Sequence, residues 1–188
     1  MPKKRFSPPE RFFTLGHGTR PLEEFLAILE SFKVNLVIDV RTVPRSRHNP
    51  QFNKETLPEV LGPQGIEYRH WPGLGGLRKT RPDSINTGWH NASFRGFADY
   101  MQTEDFTLSL QDLIKTASGR VPVLMCAETL PWRCHRSLIA DALLVRGIKV
   151  TNILKIGGGQ EHRMTAFARV QGTTLTYPGN SNFRRETI

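Results

Sequence analysis

The side chains best suited to chemistry lie together in one segment, residues 125–137, which reads MCAETLPWRCHRS. We interpret Cys134 as the candidate nucleophile, because cationic neighbours and the start of a predicted helix favour the thiolate. A structural thiol packed under the loop is the alternative. Glu128 and His135 have the side chains for acid or base work. Cys126 ends an apolar run and is interpreted as a buried small hydrophobe.

Two other short motifs carry residue types for the same chemistry. His17 lies between two glycines, where its ring would be unhindered as an acid or base. Asp39 follows a Val-Ile run, and its carboxylate would act as a base, orient Arg41, or only order the following loop. The candidate catalytic residues are therefore His17, Asp39, Glu128, Cys134 and His135.

Several arginines lie near these motifs, and the planar fork of arginine donors fits a phosphate group. The predicted anion-binding residues are Arg41, Arg45, Ser46, Arg47, Arg136 and Ser137. The chain has 26 Lys and Arg against 17 Asp and Glu, a formal net charge of +9. Residues 40–54 and 68–82 contain basic residues and no acid. These stretches either face an anionic partner or form a solvated surface that keeps the protein soluble.

Neither a metal nor a cofactor is predicted. Thiolate and imidazole suit zinc, yet the cysteines and histidines form neither a C-x-x-C nor an H-x-x-x-H pair. The sequence also shows no cleavable apolar leader and no apolar run of about 18 residues. These features predict a cytoplasmic protein with reduced thiols and no membrane partner.

Alternating strand and helix patterns must position these residues. We predict strands at residues 12–16, 35–40, 66–70, 121–127 and 150–156, and helices from Pro21 and over 53–61, 94–101, 106–115, 137–146 and 161–170. The β-α-β opening indicates parallel pairing. The sequence thus predicts a single-domain α/β fold, with a mostly parallel, five-stranded, Rossmann-like sheet and helices on both faces. The domain would span 11–175, between a flexible basic leader at 1–10 and a tail at 176–188.

Each predicted strand ends near polar or glycine residues. Parallel strands would bring these residues to one edge of the sheet, where such folds bind ligands. Residues 71–93 form a long loop, in which Trp71 and Trp89 favour order and either anchor the loop or stack on a base. The three glycines at 157–159 are interpreted as a turn.

Several motifs in order along residues 13–156 carry a family resemblance. They are TLGH at 14–17, IDVR at 38–41 with PRSR at 44–47, LGG at 74–76, FRGFA at 94–98, MCAE at 125–128 and CHRS at 134–137. Together they resemble the family called domain of unknown function 488. The resemblance implies one structural unit and no particular activity.

A weaker likeness is to rhodanese and the cysteine phosphatases. Residues 36–41 resemble the strand and Asp-x-Arg of rhodanese, and Cys126 precedes an arginine and a helix. Six residues separate Cys126 from Arg133, whereas the phosphatases have five, and Glu128 and Pro131 fall between them. An acid repels an anion and a proline lacks an N–H donor, so sulfur or phosphate transfer at Cys126 is disfavoured.

The leading prediction is a small enzyme that acts on a phosphate-bearing substrate, a nucleotide or nucleic acid, at the ends of the strands. The alternative is a non-catalytic module that binds nucleic acid or another partner through its basic surface, with the cysteine segment purely structural. A third option is thiol chemistry of the rhodanese type.

Overall fold

The centre of the fold is a six-stranded sheet, seen in a computed structural model that describes residues 7–179. The strands are β1 (Arg11–Gly16), β2 (Leu36–Asp39), β3 (Glu67–His70), β4 (Pro122–Cys126), β5 (Lys149–Lys155) and β6 (Gly158–Glu161). They lie in the order β3-β2-β4-β1-β5-β6. The first five are parallel, and β6 runs antiparallel to β5. The predicted mostly parallel α/β fold is confirmed, with six strands instead of five.

Helices cover both faces of the sheet, as predicted. They are α1 (Leu22–Ser31), α2 (Leu57–Leu61), α3 (Ala92–Tyr100), α4 (Glu104–Thr116) and α5 (Arg136–Leu144). Successive strand residues point to opposite faces, so Leu36 and Ile38 join one buried cluster and Val37 joins the other. Residues of α3, α4 and α5 pack in the first cluster and residues of α1 and α2 in the second.

Side-chain caps set the starts of α3 and α4. The Asn91 side chain accepts hydrogen bonds from the backbone N–H groups of Ser93 and Phe94, and the Thr103 hydroxyl accepts one from Phe106. Both helices therefore begin two residues earlier than the apolar pattern predicts, because a cap satisfies N–H groups ahead of the first buried residue.

Two predicted helices differ from the structure. The helix predicted at 161–170 is wrong: Glu161 pairs with Thr151 as the end of β6, and the His162 N–H donates to the Val150 carbonyl. Their backbone groups are engaged in a strand ladder. The helix predicted at 53–61 is shorter, because the Asn53 side chain accepts from the Ser46 N–H and residues 53–56 form turns.

The segment after β6 packs against the domain. It forms a hairpin of β7 (Arg169–Gln171) and β8 (Thr174–Thr176). Tyr177 lies in the predicted tail, yet it is fully buried, and its hydroxyl donates to Asp141 Oδ2 at 3.0 Å.

The long loop at 71–93 is held against α3 and α4. The buried Asp99 accepts hydrogen bonds from Arg81, Ser84 and Asn86, and the Trp71 indole N–H donates to Ser109.

Within residues 7–179, no helix combines the length and the hydropathy needed to cross a bilayer.

Candidate active site

A pocket of about 360 Å³ opens at the carboxyl edge of the sheet, where β2 and β4 are neighbours. The loop after β2, the turn at Gly76, the start of α3 and the connection from β4 to α5 surround it. Its reactive or charged lining residues are Arg41, Cys126, Glu128, Arg133, Cys134 and His135. Three of the five candidate catalytic residues, Glu128, Cys134 and His135, therefore share one pocket.

Cys134 lies just before α5 and is only 4% exposed. Arg136 Nε donates to its sulfur at 3.2 Å, and His135 Nδ1 is 3.7 Å from the same atom. The Cys134 backbone N–H donates to the Pro131 carbonyl at 3.1 Å. A short turn and two basic side chains thus fix the position of this sulfur.

The charge of Arg136 indicates the state of the thiol. Its side chain is 1% exposed, and a guanidinium remains charged at every relevant pH. A buried charge needs an anion close to it. The hydrogen-bond partners of this guanidinium in the structure are the Cys134 sulfur and the Glu128 carbonyl oxygen. Of the two, only the sulfur can carry a negative charge.

The two thiols are close and unequal. Cys126 Sγ, Cys134 Sγ and a ring nitrogen of His135 all lie within 4.8 Å of one another. A hydrogen bond from Cys126 lowers the pKa of Cys134 well below its usual value, and Arg136 and His135 act in the same direction against the effect of burial. The same bond, together with burial, raises the pKa of Cys126. The surroundings therefore favour the thiolate at Cys134 and the protonated thiol at Cys126.

The backbone fixes the orientation of the His135 ring. Its Nε2 is 3.1 Å from the Val40 carbonyl oxygen, so this nitrogen carries a hydrogen and donates it. The ring lies 5.0 Å from the Phe97 ring, between centroids, and a Cβ built on Gly76 would approach Nδ1 to 2.5 Å. His135 Nδ1 therefore faces the Cys134 sulfur, where it can accept or return a proton.

His17 and Asp39 belong to a neighbouring buried network. Asp39 accepts hydrogen bonds from the backbone and guanidinium of Arg41 and, at 2.7 Å, from the Tyr68 hydroxyl. Arg41 NH1 donates to His17 Nε2 at 3.1 Å, so His17 Nδ1 donates to the Gly18 carbonyl. Both ring nitrogens of His17 are engaged, and Asp39 orients Arg41. Burial and Arg41 lower the pKa of His17 to about 4, despite the bond to Gly18.

The anion-binding candidates do not form one group. Arg41 and Arg136 are buried and bonded internally, as described above. The exposed Arg45 pairs with Glu55, and Arg47 is also exposed. The Ser46 hydroxyl accepts from the Asn49 N–H, and Ser137 donates to the Cys134 carbonyl at 2.9 Å. Arg41 lines the pocket from within its buried network, and the exposed Arg133 carries a positive charge at the pocket rim.

The sequence patterns did not predict the roles of Gly76 in the pocket and of Tyr68 in the network beside it. Gly76 gives the His135 ring its space, and the doubled glycine at 75–76 was the signal for a close approach. Tyr68 reaches Asp39 because β2 and β3 pair in register, which places Val37 beside it. No pattern in the local sequence predicts that pairing.

Three potential metal ligands lie close together in the pocket. Among residues 7–179, the group that brings at least three such side chains together is Cys126, Cys134 and His135. Zinc takes cysteine and histidine ligands in this combination.

Comparisons with known proteins identify a family and no activity. A family model described as "Domain of unknown function DUF488" matches residues 21–143. No curated protein and no solved structure gives a significant match.

Proposed function

Because this chain belongs to the DUF488 family, whose description names no activity, we propose its function from the pocket: a thiol-dependent enzyme with Cys134 as the nucleophile. The observation that carries the proposal is the 3.2 Å contact from the buried Arg136 guanidinium to the Cys134 sulfur. It holds a thiolate, the reactive form of cysteine, on the wall of an open pocket.

His135 supplies the proton transfer. Its Nε2 is bound to the Val40 carbonyl, so Nδ1 is the nitrogen that faces the sulfur and can take or deliver a proton there. A positioned imidazole next to a thiolate is the arrangement that nucleophilic cysteine enzymes require. Glu128 lines the same pocket, but one of its carboxylate oxygens accepts a hydrogen bond from the Leu130 N–H. Its main role is therefore to order the loop.

The substrate is a small molecule, or the protruding end of a larger one, that carries an anionic group. A volume of about 360 Å³ suits a ligand of that size. Val43, Leu77 and Phe94 provide apolar walls, and Arg133 places its charge at the rim. This proposal keeps the expected anionic substrate, including a phosphate-bearing one, but assigns its recognition to Arg133.

Alkylation with mass mapping tests the nucleophile. The chain has two cysteines, so every adduct reports on this pocket. We expect iodoacetamide at pH 7 to modify Cys134 about tenfold faster than Cys126, since the thiolate is the reacting form. A Cys134 that stays unmodified in the folded protein, but reacts after unfolding in urea, would overturn the proposal.

The anionic preference has its own test in the same assay. Arg133→Gln should slow the anionic reagent iodoacetate about threefold relative to neutral iodoacetamide, because a charge near the rim attracts anions. Arg169→Gln removes an exposed arginine of β7 and serves as the matched control. Equal ratios in both variants would contradict the role of Arg133.

The binding-module alternative predicts a different pattern. It expects oligonucleotide affinity that falls steeply with salt and is the same in Cys134→Ser as in the parent. Such binding together with an inert thiol would replace the enzyme proposal.

A further inference from the structure

Resting on the proposed function, we infer that Cys126 is a resolving thiol: the site reduces small anionic disulfides, and Cys126 and Cys134 become joined in a disulfide during the reaction. The inference starts from two sulfurs within 4.8 Å of each other on the wall of one pocket. Seven residues separate them in sequence, and the turn at Pro131–Arg133 folds them together.

Backbone hydrogen bonds hold Cys126 in place at the end of β4. The Cys126 carbonyl accepts from the His17 N–H at 2.9 Å, and the Ala127 carbonyl accepts from Gly18 at 2.9 Å. These bonds continue the pairing of β1 with β4 past the strand ends. We expect the bonds from His17 and Gly18 to persist when the pair closes to a bond of about 2 Å, so that the sheet stays intact.

The two thiols have different surroundings, which assigns them different tasks. Cys134 faces Arg136 and His135, which favour the attacking thiolate. Cys126 ends β4 and is half-buried, with its sulfur within reach of Cys134. Cys126 is thus placed to attack the Cys134 sulfur once a substrate sulfur is bonded to it.

The reaction balances without a further reactant. The Cys134 thiolate attacks one sulfur of the substrate disulfide, forms a mixed disulfide and releases one substrate thiolate. Cys126 then gives its proton to the His135 ring, which lies within 4.8 Å of both sulfurs, and attacks the Cys134 sulfur. This breaks the mixed disulfide and releases the second thiolate, and the proton passes from His135 to that thiolate or to water. The substrate gains two electrons and the protein dithiol loses two. A dithiol reductant returns the protein to its starting state by the reverse exchange.

Several N–H groups of the loop are already engaged in internal hydrogen bonds, which favours a disulfide over a phosphoester as the electrophile. Transfer of a phosphoryl group is stabilised by N–H donors and cationic side chains aimed at its oxygens. In the loop from β4 to α5, the N–H of Leu130 donates to Glu128, that of Arg133 to Leu130, and that of Cys134 to Pro131. Pro131 has no N–H. Disulfide exchange needs no such cradle, because its leaving group is a stable thiolate.

The test uses 5,5′-dithiobis(2-nitrobenzoate), an anionic aromatic disulfide whose released thiolate is coloured. We expect the wild-type protein to release two thiolates per chain and to end with an internal disulfide, two hydrogens lighter by mass. Cys126→Ser should release one and retain the adduct on Cys134. Cys134→Ser should react about tenfold more slowly, since the contacts to Arg136 and His135 that favour the thiolate are made by Cys134 and are lost with it.

The outcomes separate the two proposals. A wild-type protein that keeps the adduct on Cys134 while Cys126 stays free overturns the resolving role and leaves the nucleophile intact. A folded protein in which Cys134 does not react overturns both. Stoichiometric zinc in the purified protein, with thiols that react only after chelation, would show a metal site and also overturn the exchange.

Discussion

Protonation of His17 should limit the stability of this protein in mild acid. The ring is 1% exposed, lies 4.3 Å from the Phe52 ring between centroids, and accepts a hydrogen bond from Arg41. Burial, with Arg41 beside it, lowers its pKa from 6.5 to about 4. An imidazolium would lose the bond from Arg41 and bring two buried cations together. His17 is therefore neutral in the folded protein at pH 5 and charged in the unfolded chain.

The sign and size of the effect follow from this difference. Below pH 6.5 the unfolded chain binds a proton that the folded protein does not, so the free energy of unfolding falls as the pH falls. The loss approaches about 1.4 kcal/mol per pH unit and stops near pH 4, where the folded protein also binds the proton. Between pH 7 and pH 4.5 the contribution of His17 falls by about 2.5 kcal/mol. Above pH 7 it is constant.

Urea unfolding of wild-type protein and His17→Gln at several pH values measures this contribution. The unfolding free energy of the wild-type protein minus that of His17→Gln should be about 2.5 kcal/mol lower at pH 4.5 than at pH 7. This change does not depend on the size of the difference at pH 7. His48→Gln, which replaces an exposed histidine, is the control and should show a difference constant within about 0.5 kcal/mol. A His17→Gln difference as flat as that of the control would refute the argument from burial.

Two further predictions concern the pocket and the C-terminal segment. Gly76→Ala places a methyl group against the His135 ring and should slow alkylation of Cys134 about fivefold, whereas Gly62→Ala, which meets nothing within 4 Å, should leave the rate unchanged. Equal rates in both would show that the ring position does not matter. Tyr177→Phe removes a buried hydrogen bond to Asp141 and should lower the free energy of unfolding by about 2 kcal/mol in urea titrations at pH 7. An unchanged midpoint would show that this hydrogen bond does not stabilise the fold.

Local patterns predicted most of the sheet and the edge at which the pocket lies. Apolar runs such as those at 36–40 and 121–125 are buried on both faces in a parallel sheet. Their positions can therefore be predicted from the local sequence, without knowledge of the neighbouring strands. The β6 strand could not be predicted from the sequence, because a run of Gly, Gln and Glu has no strand pattern. It exists because the exposed edge of β5 offers it hydrogen-bond partners.

The candidate site was predicted in part for the same reason. Cys134, His135 and Glu128 follow one strand, so sequence adjacency places them together. His17 and Asp39 follow other strands, and their exposure depends on what packs over them. Arg41 and Phe52 cover the His17 ring, which makes it a buried network residue.

The sequence by itself determined the positions of the five parallel strands, the parallel α/β class and the segment that holds the reactive side chains, because these depend on local periodicity and on residue type. Only the tertiary structure decided how the surroundings of the two thiols differ and which arginine stays exposed at the pocket. Those properties depend on burial and on contacts between distant segments: Arg136 is enclosed beside Cys134, whereas Arg133, three residues earlier, remains in solvent at the rim.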